Sequence, residues 1–90
     1  YENIPRSIAE GYGVRIERAA VRTPAVFPIL AREGDIPQRD MFNTFNMGVG
    51  MCAVVAEEEA DAAVAVLKEN GVEAYPVGVV TAGDEGVELV

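Results

Sequence analysis

Ninety residues with fifteen acids, seven lysines and arginines, no histidine and a net charge of −8 rule out several classes at once. The length allows one domain, and half the residues are apolar, enough for a core, yet no run approaches the ~20 apolar residues of a membrane helix. The acidity argues against nucleic acid, which demands a basic stripe, and the missing histidine removes every histidine triad, proton shuttle and histidine metal site.

The chain opens on "ENIPRSIAEGYG", where Pro5, Gly11 and Gly13 crowd nine residues and predict a loop. "VRIERAAV" begins with Val14 and Ile16 alternating with Arg15 and Glu17, the pattern of a half-exposed strand. Thr23 and Pro24 then predict an N-cap and first helical position, with "AVFPILARE" running to a stop at Gly34 and Pro28 held near the first turn. A second short helix is expected from about Pro37.

Residues 47–56 predict a second strand, in which Gly48, Gly50, Cys52 and Val54 share one face and Met47, Val49, Met51 and Ala53 the other. Two glycines leave the first face bare, so that a helix, a backbone or a ligand can come close. The lone Cys52, with apolar neighbours, is expected to be a buried thiol. "EEEADAAVAVLKENG" is the clearest helix: Ala60, Ala63, Val64 and Leu67 share a face, acids open it, Lys68 sits in the last turn and Gly71 closes it. "VEAYPVGVV" and "GVELV" read as short strands joined by a "TAGDEG" hairpin link, with Pro76 placing its strand at an edge or delaying its start. The order β-α-α-β-α-β-β predicts an α+β fold, a mostly antiparallel sheet covered by helices.

Glu57, Glu58, Glu59 and Asp61 are better read as complements to a helix N-terminus than as a cation site. "GVG" lacks the further glycine and the lysine of a phosphate loop. All six arginines fall in residues 1–56 beside six acids, whereas residues 57–90 hold nine acids and Lys68 alone, so an anion site belongs to the first half. Two stretches suit polar recognition. In "ENIPR", Glu2, Asn3 and Arg6 surround a rigid Pro5, and Arg6 can grip phosphate or carboxylate with two parallel bonds. In "FNTFNMGVGM", Asn43 and Asn46 precede the bare glycines.

With "TPAVFPILAREG" and "LKENGVEAYPVGVV", these stretches resemble the carboxyl-terminal domain of the aminoimidazole ribonucleotide synthetase family, the phosphoribosylformylglycinamidine cyclo-ligases. The resemblance spans nearly all of residues 1–90 and implies part of an enzyme of de novo purine biosynthesis. Such an enzyme uses ATP to phosphorylate the amide oxygen of formylglycinamidine ribonucleotide, after which a substrate nitrogen closes the imidazole ring. It further implies a cytoplasmic homodimer in which an amino-terminal domain, absent here, carries the ATP and Mg²⁺ sites and this domain walls the cleft. Related enzymes sharing the fold include formylglycinamidine ribonucleotide synthetase, selenophosphate synthetase and thiamine monophosphate kinase. The chain departs from the family at Val21, often aromatic there, and at Asn43, often arginine.

The expectation is therefore a single-domain fragment of a longer enzyme, consistent with a first residue that is Tyr and not Met. Alone it is expected to be inactive, with no catalytic or metal residues and no bound ATP or Mg²⁺. Its substrate-side residues would be Glu2, Asn3, Arg6, Asn46, Gly48 and Gly50, facing a small ribonucleotide. The alternative is a stand-alone small-molecule-binding or dimerisation module with an exposed sheet edge.

Overall fold

A computed structural model describes residues 1–90. Its centre is β1, Tyr12–Ile16, flanked by β2, Gly78–Ala82, and β3, Gly86–Leu89. β1 runs antiparallel to β2, with Val14 opposite Val80, and parallel to β3, with Val14 opposite Val87 and Ile16 opposite Leu89. The alternation of β1 does what period-two chemistry dictates: Val14 and Ile16 are buried on one face, while Arg15 reaches Glu88 on the other at 3.2 Å. Both partners of that pair are more than half exposed, so it contributes little, about 0–1 kcal/mol.

The expected hairpin between the last two strands does not form, because β1 lies between them. In that place it satisfies both its edges. The three residues between Ala82 and Gly86 reach roughly 13 Å, enough to step across one strand at about 10 Å. This step passes directly over the start of β1. Gly83 N–H donates to the Gly11 carbonyl at 2.9 Å, Gly11 N–H donates to Glu85 Oε1 at 3.0 Å, and a Cβ on Gly13 would strike the Asp84 carbonyl oxygen.

Three α-helices complete the α+β fold: α1, Val26–Glu33; α2, Gln38–Thr44; and α3, Ala60–Glu69, entered through a short 3₁₀ turn at Glu57–Glu59. α1 starts two residues later than Thr23 and Pro24 suggest, with Ala25 as its uncapped N-terminal flank, and Pro28 falls in the first turn where its missing N–H removes no helical bond. It ends at Gly34 as expected, but the left-handed residue is Asp35, at φ 51°. Ile36 N–H bonds the Ala31 carbonyl and Asp35 N–H the Arg32 carbonyl, the double closure of a Schellman motif. The opening stretch contains one 3₁₀ turn, Ile4–Ser7, where a loop was expected.

The strand expected at 47–56 is absent, and the observed order is β-α-α-α-β-β. Met47 and Gly48 instead form a tight turn at φ 53° and 97°, closed by Val49 N–H to the Asn46 carbonyl at 2.9 Å. Residues 51–56 run on without regular structure and exposed. Cys52 is therefore exposed, not buried: its neighbours are apolar in sequence, but no element packs over them.

The core is small. Val14, Ile16, Met41 and Met47 are its buried side chains, and no residue of α1 or α3 is buried. The molecule is flat, 41 × 34 × 19 Å, and exposes 6674 Å². A compact monomer of its mass exposes about 5,100 Å². The surplus includes Val26, Ile29, Met51, Val54 and Val66.

Candidate functional site

The two stretches singled out in the sequence meet in space. The Ile4–Ser7 turn is fixed by Arg6 N–H to the Asn3 carbonyl and Ile8 N–H to the Pro5 carbonyl, both 3.1 Å, and it packs against β3. Opposite it lies the end of α2 with its exit turn. The Arg39 guanidinium of α2 sits 4.1 Å from the centre of the Tyr1 ring, clamping the start of the chain to this helix. Phe45, just past α2, meets Phe27 of α1 with ring centres 5.8 Å apart, which holds the exit turn from the other side.

Between them is an open groove of about 770 Å³. Its floor is the apolar sheet face, Ile16, Val87 and Leu89, and one wall is Phe42, Phe45 and Met47. Glu2, Asn3, Arg6, Asn43 and Asn46 bring polar groups to it. Of the residues expected on the substrate side, Glu2, Asn3, Arg6, Asn46 and Gly50 line this one groove, and Gly48 does not.

Gly48 serves the backbone. At φ 97° it occupies a conformation that side chains avoid, and a Cβ there would collide with the Pro24 ring and approach the Arg22 carbonyl oxygen to 2.9 Å. Gly50 differs: nothing lies within 4 Å of where its Cβ would stand, so it keeps the groove wall bare. Asn46 has two jobs to divide between its two amide atoms. Oδ1 accepts from Gly48 N–H at 2.8 Å and holds the turn, and Nδ2 makes no bond within the chain.

The arginines sort themselves by partner. Arg15 pairs with Glu88, Arg22 with Glu73 at 2.7 Å, and Arg32 with its neighbour Glu33. Arg18 donates to Gln38 Oε1, and Arg39 stacks on Tyr1. Arg22 also lies 4.3 Å over the Tyr75 ring, and its N–H donates to Tyr75 Oη at 3.1 Å, joining the loop after β1 to the approach to β2. Arg6 alone has its guanidinium in no ion pair, side-chain hydrogen bond or ring contact, and it lies on the groove. With Asn43 where the family often has arginine, the sequence leaves Phe42 and Asn46 to carry this segment, and both line the groove; Phe45 and the Tyr1 clamp were missed. Phe45 stands within the quoted stretch, but its direction depended on where α2 ended.

No three carboxylate or cysteine side chains come together as a metal cluster. Geometry of this kind defines a domain with one open groove, its floor apolar, its wall aromatic, and an arginine without an internal partner and two asparagine amides on its lining.

The chain belongs to the family described as AIR synthase related protein, C-terminal domain, whose model matches residues 1–90. Among curated proteins it is similar to phosphoribosylformylglycinamidine cyclo-ligase of Staphylococcus carnosus, 47% identical over 90 residues, and of Caldicellulosiruptor bescii, 39% identical over 89 residues. Each of these alignments covers 99% of this chain and 26% of the relative. The Staphylococcus aureus enzyme of the same name is 44% identical over 78 residues, 87% of this chain and 23% of the relative. The chain thus spans about a quarter of the length of the curated relatives it matches.

Proposed function

We propose that these ninety residues form part of the carboxyl-terminal domain of a phosphoribosylformylglycinamidine cyclo-ligase and wall the ribonucleotide side of its active cleft. The observation that carries this reading is the meeting of "ENIPR" and "FNTFNMGVG" at one groove, with Arg6 as the arginine left free there. A guanidinium without an internal partner is free to bind a phosphate through two parallel charge-assisted bonds. Asn46 Nδ2 is a free donor for a ribose or amide oxygen, and Phe42 and Phe45 give a flat apolar surface for the rest of the ligand.

The residues of this chain do not fit a magnesium–ATP site: the carboxylates do not cluster, and no glycine-rich phosphate loop with lysine is present. ATP and Mg²⁺ belong, in this reading, to an amino-terminal domain, which supplies the phosphoryl group that activates the amide oxygen. This wall contributes position and charge complementarity, which is where phosphoryl-transfer enzymes gain most of their rate. A homodimer in the cytoplasm is part of the same proposal. No helix is long and apolar enough to cross a membrane.

Arg6→Ala in the intact enzyme tests it. Loss of a charge-assisted hydrogen bond costs about 1.5–3 kcal/mol, so kcat/KM for the ribonucleotide should fall roughly ten- to a hundredfold with melting unchanged. Arg32→Ala, remote from the groove, is the control and should behave as wild type. Wild-type kinetics in Arg6→Ala would sink the assignment.

A further inference from the structure

Only two charged side chains line the groove, Arg6 and Glu2. The phosphate proposed for Arg6 leaves Glu2 without a counterpart. Its carboxylate is exposed and makes no ion pair and no hydrogen bond within the chain, with Arg6 or with any other group. Glu2 precedes the Ile4–Ser7 turn and Arg6 falls near its end. At the ~2.0 Å rise per residue of a 3₁₀ turn their backbones stand roughly 8 Å apart, which leaves room for a sugar between the two charges. A free carboxylate beside a phosphate site repels a purely anionic ligand. It favours binding only when the ligand carries a cation of its own.

We propose that Glu2 binds the amidinium of the substrate, so that the groove reads a ligand with an anion at one end and a planar nitrogen cation at the other. The inference rests on the reading of the groove as the ribonucleotide side of a cyclo-ligase cleft. An amidine is basic enough to hold a proton at neutral pH, and its two N–H-bearing nitrogens lie in one plane, as on one edge of a guanidinium. A carboxylate accepts from both at once, the fork-to-fork geometry of arginine–carboxylate pairs. In formylglycinamidine ribonucleotide the phosphate and the amidine lie on opposite sides of the ribose, matching Arg6 and Glu2 on either side of the turn. No other carboxylate of the chain lines the groove, and the amides of Asn43 and Asn46 are neutral. The pairing also rejects the amide analogue, in which oxygen replaces the imino nitrogen. That analogue is uncharged and sets a lone pair against a carboxylate oxygen, and a site built around a lost donor discriminates strongly.

The test is calorimetric binding to the intact natural gene product, with Mg²⁺ and a non-hydrolysable ATP analogue present so that no turnover occurs. Two probes are titrated, formylglycinamidine ribonucleotide and its amide analogue. Wild type should prefer the amidine by roughly ten- to a hundredfold, the range of one charge-assisted hydrogen bond. Glu2→Gln keeps the size and an acceptor oxygen but not the charge, and should lose that preference by weakening the amidine alone. Arg6→Ala should weaken both probes by a similar factor. Glu10→Gln removes an acid outside the groove and should behave as wild type. Equal affinity of wild type for the two probes, a preserved preference in Glu2→Gln, or the same loss in Glu10→Gln would overturn the role of Glu2. Weakening of both probes by Arg6→Ala in those titrations would still leave the proposed function standing. Binding of neither probe to wild type would overturn both.

Discussion

Gly48→Ala and Gly50→Ala add the same methyl group two residues apart, and the structure demands opposite outcomes. At Gly48 the backbone lies at φ 97°, and the new Cβ would overlap the Pro24 ring and press the Arg22 carbonyl oxygen at 2.9 Å. The left-handed conformation costs an L-residue about 1–2 kcal/mol, and forcing atoms into packed surroundings costs about 1–3 kcal/mol more. Neither neighbour is a flexible side-chain end that could swing aside: one is a proline ring and the other is backbone. The expected loss is about 2–5 kcal/mol, with a clear fall in the denaturant midpoint. Gly50 has open space and no positive φ, so alanine there removes freedom from the unfolded chain and should leave stability equal or higher by about 0.4–1 kcal/mol. Urea titrations of both variants in the intact protein, beside wild type, decide the matter. Equal midpoints for the two would refute the assignment of Gly48 to the backbone and Gly50 to the groove wall.

Asn46→Ala removes both the acceptor that holds the Met47–Gly48 turn and the free donor on the groove, whereas Asn46→Asp keeps an acceptor and deletes the donor. The first should lower both stability, by about 1 kcal/mol, and kcat/KM; the second should retain the melting temperature and lose kcat/KM, and wild-type kinetics in Asn46→Asp would take Asn46 off the ligand. Tyr75→Phe strips the acceptor of Arg22 N–H but leaves the ring under the guanidinium. It should cost about 0.5–1.5 kcal/mol in a thermal melt with no kinetic effect, and a loss of activity at unchanged stability would move Tyr75 into the site.

The elements that the sequence made legible are those whose signals are local. β1 announced itself by Val14 and Ile16 alternating with Arg15, α3 by its apolar face and acidic first turn, and β2 began after Pro76 because proline cannot donate to a ladder. What failed was pairing. "TAGDEG" has the composition of a hairpin turn, and nothing in those six residues shows that another strand lies between the two they connect. The hint lay elsewhere, at Gly13: a glycine inside a strand marks a close backbone approach, and here Asp84 is what approaches.

The stretch at 47–56 shows how one pattern can carry two physical messages. Its glycines looked like a single bare face, but a period of two places residues on faces only where a ladder holds the chain extended, and the turn at Met47 and Gly48 breaks the register before it begins. Asn46 explains why the turn forms there. Its side-chain oxygen reaches the N–H two residues on, an interaction as local as a helix cap, and it competes directly with strand formation. Beyond Val49, residues 50–55 make no backbone hydrogen bond within the ninety residues, so no ladder sorts them onto two faces. The site was legible in its polar members for a different reason. "ENIPR" combines a rigid proline with an arginine whose only acids at helical or strand spacing are Glu2 and Glu10, and it forms an ion pair with neither. Its freedom became an argument only when the fold had given each of the other five arginines a partner. A side chain that the structure leaves unsatisfied on a groove has to find its counter-charge in a ligand or in water, and the kinetics of Arg6→Ala distinguish those two.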